Sequence, residues 1–127
     1  MASSVLDSSA VLAFVNGEPG AEIVARLIGD SLISTVNFAE VVTKLVERSG
    51  SLELAREALA IVDLDLIDFD RDLAENAGGL IARTKLKGLS LGDRACLALA
   101  VREWLPAVTG DRVWESLDVG VEVRLFR

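Results

Sequence analysis

Four acidic residues, Asp7, Glu40, Asp93 and Asp111, each fall where the sequence reads as the end of a strand or the start of a helix. Carboxylates drawn together from distant segments repel one another, which raises some of their pKa values until a cation relieves the repulsion. Hard divalent cations such as Mg²⁺ prefer carboxylate and water oxygens. The chemistry that suits such a group is phosphodiester hydrolysis. A metal there lowers the pKa of a bound water and offsets charge developing on phosphate oxygens.

Each candidate also has an ordinary reading. Asp7 follows a short apolar run and could close a strand and cap a helix. Glu40 lies off the stripe of Phe38, Val41, Val42 and Leu45, so a solvated pair with Lys44, four residues on, explains it equally well. Asp93 stands three residues after Ser90, the spacing of a capping box. Asp111 ends Thr109-Gly110-Asp111, which suits a turn. Ser8 or Ser9 fits helix capping better than a ligand role through water. The densest basic run, Arg83-Thr84-Lys85-Leu86-Lys87, suits either phosphate contact or a solvated helix end.

What is missing removes whole classes of chemistry. The chain has no His and no Tyr, and Cys96 is its one cysteine. Ser-His-Asp triads, Cys-His dyads and structural zinc sites are therefore out of reach. A lone cysteine forms no internal disulfide and fits a reducing cytoplasm. The N-terminus lacks the positive start and long apolar stretch of a signal peptide, and no apolar run is long enough to span a membrane. We expect a cytoplasmic protein without a membrane partner.

Thirteen Lys and Arg against 20 Asp and Glu give 13 − 20 = −7. An acidic chain is a poor sequence-independent binder of nucleic acid, so a polyanionic substrate would need divalent cations between it and the protein. The same charge attracts a basic partner.

The elements that would gather the acids follow from patterning. Length (127 residues) and a hydrophobic content of 51% suit one compact domain spanning 1–127, which buries roughly two-thirds of its unfolded surface. Strands are expected at Ser4–Leu6, Leu32–Ser34, Leu64–Phe69, Ala107–Thr109 and Val121–Leu125. Helices are expected from Ala10 to about Val15, over Ala21–Ile28, from a Thr35 cap to Gly50, over Leu52–Val62, and from Asp72 to about Lys85, the last weakened by Gly78-Gly79. The segment from Ser90 to about Glu103 is apolar on every side, so it should be buried. The alternation reads as βα units around a parallel sheet. In such sheets ligands sit beyond the carboxyl ends of the strands, at a switch in strand order, so Asp7 and Asp111 share a crevice if the first and fourth strands are neighbours.

Taken in order, Val5-Leu6-Asp7-Ser8-Ser9-Ala10, Asn37-Phe38-Ala39-Glu40-Val41, Leu89-Ser90-Leu91-Gly92-Asp93-Arg94-Ala95 and Thr109-Gly110-Asp111-Arg112-Val113-Trp114 resemble the PIN-domain ribonucleases. More narrowly, they resemble the VapC toxins of bacterial toxin–antitoxin pairs. The resemblance covers nearly the whole chain. It implies a three-layer α/β/α domain with a five-stranded parallel sheet and cleavage of RNA dependent on Mg²⁺ or Mn²⁺. By position, Asp7, Glu40, Asp93 and Asp111 become the acidic metal-site residues, and Ser9 or Thr109 a supporting hydroxyl. It further implies a homodimer and a small cognate VapB-like antitoxin whose C-terminal segment wraps the toxin and can push a basic side chain into the acids. Arg94 departs from the pattern and could pair with a site carboxylate or with substrate phosphate. A further acid after Asp111 would have to be Glu115, or is replaced by Ser116.

Three other readings compete. An Asp-nucleophile phosphatase needs an acid two residues after the first Asp, where this chain has Ser9. A receiver-like phosphoacceptor needs an acidic pair at the first strand and a late Lys, and no Lys follows Lys87. A non-catalytic PIN-like module that only binds a partner is compatible with all four acids.

Overall fold

Short runs of β-branched and aliphatic residues form five strands: β1 (Ser4–Leu6), β2 (Ser31–Ser34), β3 (Asp65–Ile67), β4 (Ala107–Thr109) and β5 (Val123–Leu125). They pair in parallel in the order β3-β2-β1-β4-β5. The computed structural model describes residues 1–127. The chain therefore builds outward from β1 on one side through β2 and β3, then returns to lay β4 and β5 on the other. The first and fourth strands are neighbours, which puts the switch point between them.

The helices are α1 (Ser8–Asn16), α2 (Ala21–Leu27), α3 (Thr35–Ser49), α4 (Leu52–Ala60), α5 (Arg71–Gly79), α6 (Ile81–Thr84) and α7 (Leu91–Glu103). Alternation along the central strands divides the core in two. Val5, Leu32 and Ala107 join α5 and α7 in one apolar cluster, while Leu6, Ile33 and Val108 join α1, α2, α3 and α4 in the other. The result is helix, sheet, helix. Residues Ala95 to Ala100 of α7 are all buried, as expected of a helix apolar on every side. No helix is long and apolar enough to cross a membrane.

Several local expectations are corrected. Ser34, not Thr35, caps α3 by accepting from the Val36 amide, and Thr35 Oγ1 instead accepts from the Phe69 amide, 3.0 Å away. The N-cap of α1 is Asp7; Ser8 and Ser9 lie inside the helix. The expected helix over 72–85 breaks at Leu80 into α5, α6 and a 3-10 turn, Lys85–Lys87. Two adjacent glycines supply no side chains to hold one continuous rod. β2 begins one residue early, at Ser31, whereas β3 and β5 are shorter than expected because pairing, not apolarity, fixes strand ends.

Candidate active site

β1 ends at Asp7 beside β4, and the chain turns directly into α1. An Asp at an N-cap ordinarily accepts from the first helical amides. Asp7 makes no such bond. Its Oδ2 instead accepts from Ser9 Oγ at 2.8 Å and from Thr109 Oγ1 at 2.9 Å. Both hydroxyls are held in turn: Ser9 Oγ accepts from the Gly110 amide and Thr109 Oγ1 from the Asp111 amide, each at 3.1 Å. Ser9 and Thr109 thus fasten the Asp7 carboxylate to the end of β4. Asp7 is only 5% exposed.

Burial pushes the Asp7 pKa up to about 6, against the downward pull of the Ser9 and Thr109 bonds. The charges of Asp93 and Glu40 raise it further. The same three carboxylates add to the effect of burial in raising the Cys96 thiol, which lies in α7 beneath them. Asp7, Glu40 and Asp93 therefore form one electrostatic group at the switch point.

Glu40 reaches that group across the gap between α3 and α7. Asn37, fully buried one turn earlier, donates through Nδ2 to Glu40 Oε1 at 2.9 Å and to the Gly92 carbonyl at 3.0 Å. A Cβ at Gly92 would collide with the Glu40 carboxylate, so glycine is what lets α7 approach. Lys44 pairs with Glu47, not with Glu40. Sequence reasoning missed Asn37, although its position three residues before Glu40 on one helix face was a usable signal.

Asp93 does two things at once. It completes the capping box of α7: the Ser90 amide donates to Asp93 Oδ2 and the Asp93 amide donates to Ser90 Oγ. Its charge also acts on Asp7, so the structural and chemical readings coexist.

Asp111 is not gathered with the other three. It is exposed, and its Oδ1 accepts from the Val113 amide to start a 3-10 turn, Arg112–Ser116. It touches the group only through its amide on Thr109. Glu115 is exposed, and Ser116 Oγ turns back onto the Val113 carbonyl. Arg94 pairs with no carboxylate. Its Nη1 donates to the Ala77 carbonyl at 2.9 Å, near the end of α5, so of the two partners expected for it the site carboxylate is not the one it takes.

The donors suit a hard cation, but no three acidic side chains stand close enough to hold one directly. Mg²⁺ tolerates that, because it usually keeps several waters and takes only one or two carboxylates. The largest cavity lies elsewhere: an open apolar groove of about 680 Å³ between α3, α4 and β3, lined by Phe38, Val42, Leu52, Leu59 and Leu66 among others.

Residues 4–120 match a family profile described as PIN domain. No curated protein sequence matches the chain. Among solved structures, similar folds occur in VapBC2 from Rickettsia felis bound to a fragment of its promoter DNA (20% identity, 96% of this chain and 97% of that one, TM-score 0.74). A DNA-bound VapBC from Salmonella typhimurium is similar at 21% identity with both chains fully covered and a TM-score of 0.74. VapC20 from Mycobacterium tuberculosis, described as a sarcin-ricin loop cleaving toxin, is similar at 24% identity over 96% of this chain and 99% of that one, with a TM-score of 0.71.

Proposed function

The chain belongs to the PIN-domain family, and from that premise we propose that it is a divalent-metal-dependent endoribonuclease, the toxin of a VapBC-type pair. The observation that carries the reading is Asp7: a buried carboxylate at the switch point, pushed up to about 6, in the field of Glu40 and Asp93. A helix start that forgoes its own side-chain cap is poor local design for stability, and the arrangement is better explained by a group kept for chemistry.

Asp7, Glu40 and Asp93 would hold Mg²⁺ or Mn²⁺, partly through water, with Asp111 at the rim. When bound, the cation would acidify a water and offset charge on the scissile phosphate. Ser9 and Thr109 occupy Asp7 Oδ2 and leave Oδ1 without a donor. Glu40, fixed by Asn37, would complete the cation's shell or position the attacking water. Asp93 is braced by its capping box, so its carboxylate is presented from a rigid helix start.

Structural relatives described as toxin–antitoxin complexes support a cognate antitoxin, and the open apolar groove beside α3 and α4 supports a protein partner. A homodimer working in the cytoplasm completes the reading. The test is cleavage of pooled cellular RNA by purified, antitoxin-free protein with Mg²⁺ or Mn²⁺, against EDTA and Asp7→Asn. Metal-dependent products absent in the variant are expected. Full activity in Asp7→Asn would sink the assignment, and silence from folded wild type in every metal would favour a binding module.

A further inference from the structure

The chain carries 20 acids, yet residues 76–92 contain none. Within that stretch Arg83, Lys85 and Lys87 are exposed and make no ion pair, whereas Lys44, Arg48, Arg71, Arg102, Arg124 and Arg127 are paired, and the other exposed unpaired cations, Arg26, Arg56 and Arg112, each stand singly with acids nearby in sequence. The segment is anchored at both ends. Thr84 is fully buried with its hydroxyl on the Leu80 carbonyl, and Leu89 enters the core beside α7. Between these anchors a 3-10 turn displays Lys85, Leu86 and Lys87, with Leu86 97% exposed. Gly88, at φ +67, then reverses the chain into the Ser90 cap that carries Asp93.

We propose that Arg83, Lys85 and Lys87 form a cationic arm that grips the sugar-phosphate backbone of single-stranded RNA beside the acidic group. The inference rests on the ribonuclease reading for its substrate, but on separate residues for its evidence. Lys87 precedes Ser90 by three residues, a chain path of at most about 11 Å, so the arm lies within a few nucleotides of the acids. An acidic molecule repels a polyanion everywhere except where unpaired cations outnumber acids, which makes this segment the entry side. Contacts of this kind position a strand and do not read bases.

The test compares wild type with Arg83→Gln/Lys85→Gln/Lys87→Gln. These residues are exposed, so the variant folds. For an RNA that wild type cleaves, KM at 150 mM salt should rise at least tenfold while kcat at saturation stays within twofold. The slope of log KM against log salt should fall by about 2, since each lost phosphate contact on a single strand removes about 0.7. A parallel anisotropy titration in the Asp7→Asn background uses a fluorescent single-stranded RNA and needs no cleavage. Unchanged KM, affinity and salt slope in an active enzyme would overturn the arm and leave the ribonuclease intact. Arm-dependent RNA binding without cleavage by wild type would keep the arm and overturn the ribonuclease. Tighter arm-dependent binding of polyglutamate than of RNA would assign the segment to an acidic partner protein and overturn the proposal.

Discussion

Asp7 sets the pH behaviour of the chain. Its carboxyl titrates near 6 in the fold against 3.8 when unperturbed, so between those values the folded state binds the extra proton. Stability from this group is fully present below about 3.8, falls as pH rises, and is gone above about 6, a loss on the order of 3 kcal/mol. Asp7→Asn, which keeps an acceptor for Ser9 and Thr109, should therefore be more stable than metal-free wild type at pH 8 and converge with it near pH 4. Urea unfolding at the two pH values measures this, and parallel pH profiles would refute it. Gly92 gives a second handle. Because the atoms a new Cβ meets are the far end of a flexible Glu40 side chain, Gly92→Ala should change stability by less than about 1 kcal/mol. It should turn Glu40 away from Asn37 and lower cleavage at least about tenfold. Thermal melts beside turnover assays separate the two effects.

Among elements, α7 carries the most. Ser90→Ala removes one half of its capping box and should cost about 1 kcal/mol by denaturant unfolding. The same helix ends at Trp104, a residue 87% exposed with φ +57. Left-handed backbone is strained for any side chain, so Trp104→Gly should stabilise by about 1 kcal/mol, read as a higher Tm. A fall in Tm would mean that the indole packs where its exposure says it does not. The five strands were legible because apolar runs and βα alternation are local signals, and Asp7 stood out at a strand end; their lateral order, with β4 beside β1, was not, because it depends on pairing between distant segments. What the sequence hid was lateral. Glu40 is held not by the Lys44 four residues on but by Asn37, which also grips the Gly92 carbonyl 55 residues downstream in α7, and no periodicity within α3 reports that crossing. The placement of Asp111 was hidden for a related reason: the end of β4 directs Thr109 inward, while the next acid, two residues later, caps a turn at the surface.

For the whole molecule, a divalent cation held by the gathered carboxylates, as proposed, would make cation binding and folding one equilibrium. A cation that binds only the folded chain stabilises it by about 2.7 kcal/mol at a concentration 100 times its Kd. Mg²⁺ or Mn²⁺ should therefore raise the Tm of wild type and leave that of Asp7→Asn nearly unmoved, whether or not RNA is present; equal shifts in both would place the cation elsewhere. The wiring of the sheet also dictates when such a centre exists at all. Asp7 is held by Thr109, 102 residues downstream, and β1 has no neighbour on that side until β4 is made. At about 5–20 residues per second, a growing chain spends on the order of 5–20 s with its first acid synthesised and its last support not yet translated. The centre is thus completed only once β4 has been made, and a protein that would restrain it has those seconds to be ready.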